Sequence, residues 1–154
     1  MNKYIKKMAY DIPYAIAIVR GATQNLQLYG KVKFYKVDNG TFVVAEFIGL
    51  PLESSFLAFH IHNGNACTGN TEDEFANSGT HLNFNFLEHP LHTGDFPVLI
   101  NNGGNAWEAF YTDRFMPENV IGYPVVVHEK TDDYHTQPSG GSGRKIGCGI
   151  IKKY

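Results

Sequence analysis

FLAFHIH, residues 56–62, followed by Cys67 and then by THLNFNFLEHPLHTGD, residues 80–95, decides how the rest of the chain is read. Five of the seven histidines lie in this stretch. His60 and His62 are two apart in an apolar run, and strand geometry sends side chains i and i+2 to the same face, ~6.5 Å apart along the strand. Two imidazoles so placed can grip one metal ion.

Residues 56–62 therefore read as a strand. From 63 to 85 the pattern dissolves into Gly, Asn, Thr and acidic residues, a long loop of the kind that is usually functional in a compact domain. Toward the N-terminus, AIAIVRG (15–21) reads as a strand, and GKVKFYKV (30–37) alternates Val32 and Phe34 with Lys31 and Lys33 until Tyr35 breaks the pattern. Asp38-Asn39-Gly40 predicts a tight hairpin into TFVVAEFIGL (41–50), which Leu50-Pro51 stops. Toward the C-terminus, PVLIN (97–101), AWEAFYTD (106–113), VIGYPVVVHEK (120–130) and KIGCGIIKKY (145–154) are further strands, and residues 131–143 form a second long loop. No stretch shows sustained helical periodicity. The expectation is an all-β fold, an eight-stranded antiparallel Greek-key barrel or sandwich with two long functional loops, as one domain over residues 1–154.

A chain of 154 residues can bury a sizeable core. Its net charge of −2 and pI near 6.4 create no basic field to draw nucleic acid or anionic lipid, so a small substrate is expected. No apolar run is long enough to span a membrane. The basic beginning, MNKYIKK, resembles the start of an export signal, but Asp11 and Pro13 interrupt the apolar residues after it and no small-residue cleavage site precedes the first strand. That reading implies a cytoplasmic protein, or an extracytoplasmic one if the chain is a mature form. Cys67 and Cys148 are too far apart for a CxxC motif. They are either two buried thiols or one disulfide closing a loop of about eighty residues, which the chain-entropy model values at ~4 kcal/mol.

His81, His89, His92 and Asp95 supply three imidazoles and a carboxylate within fifteen residues. That donor set suits tetrahedral zinc, and with four protein ligands the site is closed and structural. His60, His62 and the distant His128 make a nitrogen-rich set that favours copper. Any one of these histidines alone is more often an interior residue than a ligand, but six histidines and an aspartate in this arrangement are not accidents. His135, the seventh, is expected to be solvated. The GGSG at 140–143 lacks the Gly-Lys-Ser/Thr of a phosphate loop and reads as flexible chain.

Taken together, FHIHNGNAC, THLNFN, HPLHTGD, VVVHEKTDDYHTQPSGGSG and IGCGII resemble the copper/zinc superoxide dismutase family, in its bacterial form, from about residue 30 to the end. The resemblance implies a sandwich fold. It implies that His60, His62, His81 and His128 bind copper, that His81 also binds zinc through its other ring nitrogen, and that His89, His92 and Asp95 complete the zinc site. It pairs Cys67 with Cys148. It makes Asp132 the carboxylate that links a copper-bound and a zinc-bound histidine, orienting both. The implied activity converts superoxide to oxygen and hydrogen peroxide, with His81 leaving copper and taking a proton between the two halves of the cycle.

Two departures from the family pattern stand out. Only two residues separate His89 from His92, a shortened zinc loop that makes His89 the least secure ligand. Lys145 stands where the family carries an anion-guiding Arg, with Arg144 one step earlier; either the loop is re-registered so that Arg144 fills the role, or Lys145 fills it less well, keeping the positive charge without the planar guanidinium, and slower anion capture is expected. Two other functions compete with the dismutase reading: a copper/zinc-binding protein without activity, and a zinc hydrolase, which would need an open zinc position. A homodimer is left open.

Overall fold

The computed structural model describes residues 2–154. Nine strands form: β1 (Ala15–Gly21), β2 (Tyr29–Val37), β3 (Gly40–Ile48), β4 (Phe56–Leu57), β5 (Phe59–Ile61), β6 (Leu99–Ile100), β7 (Ala106–Thr112), β8 (Pro124–His128) and β9 (Lys145–Lys153). Seven make one antiparallel sheet in the order β5-β8-β9-β1-β2-β3-β7, and β4 pairs with β6. That small pair closes the barrel. β4 runs into the edge strand β5, and β6 is joined to the opposite edge β7 through the Asn102–Asn105 bridge, so pairing Leu57 with Leu99 ties the two free edges together. Counting β4 and β5 as one interrupted strand gives the eight expected.

The 56–62 strand is thus split, a correction to its reading as one element. The break falls at Ala58, whose N–H donates to Lys130 O while its carbonyl accepts from His128 N–H. Both bonds pull the backbone toward β8 and away from β6. The predicted hairpin is present, with β2 and β3 in register over all nine residues of each. Its two turn residues are Asp38, at φ +45°, and Asn39, while Gly40 is already paired with Val37 as the first residue of β3, so the turn falls one residue earlier than the Asn-Gly pair.

The interior is filled by Ala17, Val19, Val32, Phe34, Val43, Phe47, Phe59, Leu99 and Val127, all buried. A second, smaller apolar cluster of Tyr35, Val37, Phe42 and Val44 lies on the other face of β2 and β3. It is covered by an element the sequence reading missed, helix α1 (Lys3–Tyr10), whose Tyr4 and Met8 pack on it. The Asn2 side chain caps this helix by accepting from Tyr4 N–H at 2.9 Å, and Lys7 pairs with Asp11 one turn on. Eight residues are too few to show a helical period convincingly. The helix is also the reason Tyr35 breaks the alternation in β2, since that face too is shielded.

Disulfide Cys67–Cys148 ties the 63–85 loop to β9 across 81 residues. In the chain-entropy model such a closure stabilises by about 4 kcal/mol.

Candidate metal centre

His60 lies on β5 and His128 at the end of β8, where a register shift between Val127 and His128 turns its ring out of the regular ladder. His62 sits just beyond β5. The loop reaches them by using the edge that β5 leaves free: His62 bridges His81, His60 bridges Asp95, Ile61 N–H donates to Gly94 O, and Leu82 N–H donates to Ile61 O. Through these backbone bonds the 80–95 segment is laid along the strand.

Two groups result. Ligand atoms of His60, His62, His81 and His128 all lie within 4.8 Å of one another, and so do those of His81, His89, His92 and Asp95. All seven side chains are buried. His81 belongs to both groups, with its ring 3.9 Å from that of His60 and 5.5 Å from that of His92, centroid to centroid. The rings of His60 and His62 are 6.3 Å apart, as same-face positions on a strand should be. His89 joins its group despite the short spacing to His92, while His135 stays outside and exposed.

The hydrogen bonds determine which ring nitrogens are left over. His62 Nδ1–H donates to Gly79 O at 2.9 Å, and His128 Nδ1–H donates to Gly143 O at 3.2 Å. Their Nε2 atoms are therefore bare acceptors, and they face each other at 3.2 Å. Neither neutral ring has a proton to offer the other, so a cation is the partner that satisfies both. Asp132 accepts from His60 Nε2–H at 2.7 Å through one oxygen and from His89 Nε2–H at 2.8 Å through the other. Its carboxylate thus spans the two groups and directs Nδ1 of both rings inward. Among the described residues, five buried side-chain polar atoms have no hydrogen-bond partner, and four are ring nitrogens of this set: His60 Nδ1, His81 Nε2, His89 Nδ1 and His92 Nδ1. Native interiors rarely leave such atoms unpaired. Here the orphaned lone pairs converge, which fits metal ions.

Electrostatics distinguish the two groups. Burial holds His60 and His62 well below the usual histidine pKa, and burial lowers His128 to about 4. These rings are neutral at physiological pH, the form that ligates. The second group contains a carboxylate. Burial pushes Asp95 up, but its hydrogen bond from His81 Nδ1 at 2.7 Å and the neighbouring rings outweigh burial and hold it below the ordinary range. Asp95 also lies 3.0 Å from His89 Nδ1 without the alignment of a hydrogen bond, as co-ligands do.

Several contributors carry no signal in the sequence. Arg114, beyond β7, donates from Nη1 to the carbonyls of Pro90, His92 and Asp95 at 3.0, 2.9 and 3.4 Å and so pins the loop that holds three of the buried groups. Gly140, at φ +68°, passes so close to Asp132 and His89 that any Cβ there would collide with the Asp132 carboxylate. That glycine is part of a close approach, not simply of a flexible run. Of the two cations near β9, Arg144 is exposed and paired with Glu129 at 2.8 Å. Lys145 stands opposite His128 in the β8–β9 ladder and donates to Asp73 at 2.9 Å and to Phe75 O at 3.2 Å.

Comparison with known proteins agrees with this geometry. A Cu-Zn superoxide dismutase of Aquifex aeolicus is 29% identical over 141 residues, covering 82% of this chain and 80% of the relative. The Cu-Zn superoxide dismutase of Escherichia coli K12 is 31% identical over 140 residues, 82% of this chain and 80% of the relative. An extracellular Cu-Zn superoxide dismutase of Drosophila melanogaster is 31% identical over 155 residues, 89% and 83%. With the sequence profile of the copper/zinc superoxide dismutase (SODC) family matching residues 28–151, the chain belongs to that family.

Proposed function

We infer that this protein is a superoxide dismutase, with copper held by His60, His62, His81 and His128 and zinc by His81, His89, His92 and Asp95. The observation that carries the reading is the His81 ring, which presents an unpartnered Nε2 to three other buried imidazoles and its Nδ1 to a buried carboxylate. When bound, copper would supply one-electron transfer in both directions, the chemistry that with two protons converts two superoxide ions to one oxygen and one hydrogen peroxide.

The chain's own residues supply the rest. His62 and His128 are locked into one tautomer by Gly79 O and Gly143 O, so no reorganisation is needed to present Nε2. His81 Nε2 is the atom that would hold one proton between the half-reactions and yield it to the departing peroxide, the second proton coming from solvent. Asp95 and the other zinc ligands keep that ring oriented throughout. Lys145 supports anion approach better than Arg144 does, because its backbone is paired with His128 while Arg144 is turned toward Glu129 and Gln24.

A zinc hydrolase is not supported, since the second group already offers four protein donors. A copper/zinc store without activity differs from a dismutase in turnover alone. Loading with copper and zinc, elemental analysis and stopped-flow measurement of superoxide decay test the reading. One copper and one zinc per chain with fast decay are expected, and full loading with no turnover would overturn it.

Among the described residues no helix is long and apolar enough to cross a membrane. Of the two compartments left open by the sequence, the Cys67–Cys148 disulfide supports the oxidising, extracytoplasmic one, and cell fractionation checks this. The homodimer is also part of the proposal. Phe84, Phe86, Leu87 and Leu91 are exposed on the 80–95 segment, with Phe86 at 92%, and supply an apolar face for it. Sedimentation at micromolar concentration gives the answer.

A further inference from the structure

The cation beside the copper group is not free. The Lys145 side chain is only 15% exposed, and its ammonium is held by the Asp73 carboxylate and by Phe75 O. Asp73 is itself fixed. Its other oxygen accepts from Phe75 N–H at 3.0 Å, its own N–H donates to Asn70 Oδ1 at 3.0 Å, and its carbonyl accepts from Asn70 and Ala76 N–H. The segment that carries it is anchored to β9 a second time by the disulfide, with Phe75 packed beside Cys148. An ion pair built from two immobilised partners projects only a dipole field, which falls off faster than that of a lone charge. A lone ammonium would reach an approaching anion over the screening length of ~8–10 Å. The neighbouring Arg144 does not restore the field, because Glu129 neutralises it in the same way.

We propose that Asp73 is a positioning residue that sets how strongly this protein attracts its anionic substrate, fixing the ammonium of Lys145, the ladder partner of His128, and offsetting its charge. Lys145 is paired with His128 in the β8–β9 ladder, so the neutralised cation belongs to the residue directly across from one of the copper group's rings. The inference rests on the dismutase reading and concerns the rate of capture, not the chemistry at the metal.

The test uses copper- and zinc-loaded full-length protein with azide as the probe anion, its affinity read from the copper absorption band at low salt and at 0.15 M salt. Asp73→Asn keeps the acceptor for Phe75 N–H and removes the charge. It is expected to tighten azide binding about threefold to tenfold at low salt, a single charge giving no more than the lower end of the ~10- to 1,000-fold steering effects of whole charged clefts, and to steepen its salt dependence. Asp73→Glu restores the charge and should return both towards wild type. Lys145→Met should weaken azide binding and abolish the effect of Asp73→Asn in the double variant. Unchanged or weaker azide binding in Asp73→Asn, with copper content unaltered, would overturn the proposal alone. Failure of the loaded wild type to show a copper band would overturn the dismutase reading and this proposal with it.

Discussion

The two halves of the centre are built by different means. The group proposed to hold copper is mounted on the barrel: His60 and His128 lie on paired strands, His62 comes just after one of them, and two of the four rings are oriented by backbone carbonyls. The group proposed to hold zinc lies in loop chain, its rings gathered around the Asp95 carboxylate and its backbone clamped from outside by Arg114. A sheet can position three neutral rings without a charge among them. A loop needs a countercharge, and closes fully only around a cation. The copper half should therefore keep its shape when emptied, and the zinc half should depend on its ion.

The largest expected effect comes from His62→Ala. Copper binding is lost and superoxide turnover falls by at least about 100-fold, since even partners that merely orient a ligand cost 10–100-fold. Zinc content and the far-UV spectrum stay as in wild type. Loss of zinc together with copper would break the contrast between the halves.

Asp95→Ala is the converse. The zinc group loses its only carboxylate, so zinc is expected to be absent by elemental analysis, and the 80–95 segment should become sensitive to proteolysis. Copper should remain near one per chain, because three of its four ligands do not depend on the loop. An ordered, protease-resistant segment in the zinc-free variant would show that Arg114 alone holds it.

Legibility in the sequence divides along similar lines. The His-x-His spacing on a strand and the β2–β3 hairpin were legible because period-two alternation and Asn-Gly turns are local signals. His128 was legible by donor type, as a third imidazole to set beside His60 and His62, whereas membership of Asp132 in the centre was legible only through resemblance, because a lone loop carboxylate carries no signal of its own. Helix α1 was not legible, being a short amphipathic piece that packs on the outside of the sheet. Nor were Arg114 or the split at Ala58, because both are set by backbone groups brought near by the fold, and a carbonyl leaves no mark in the residue letters.

The pH dependence of the apoprotein sharpens the comparison from the copper side. Unfolded histidine titrates near 6.5, whereas His128 in the fold is lowered to about 4 by burial, with His60 and His62 also well below the usual value. Below about pH 6.5 the unfolded chain binds protons that the native chain refuses. The stability due to these neutral rings is thus complete above that pH and is lost as pH falls toward 4. For His128 alone the loss amounts to about 3 kcal/mol. Denaturant unfolding of metal-free protein between pH 7 and 4 should show this decline, and a flat profile would mean that the emptied copper group opens to water.

Asp132→Asn addresses the carboxylate that accepts a hydrogen bond from each half. Asp132 is buried, accepts from a ring in each group, and is threaded past Gly140 where no Cβ fits. An amide keeps one acceptor and turns the other into a donor, so only one of His60 and His89 can retain its tautomer. If the strand fixes His60 and the loop does not fix His89, the amide should settle its oxygen on His60. Zinc affinity should then fall by about 10–100-fold and copper affinity by much less. Competition with chelators for each metal measures the two separately. Equal losses would mean that the carboxylate, and not the barrel, orients His60, and the copper half would then be no more preformed than its neighbour.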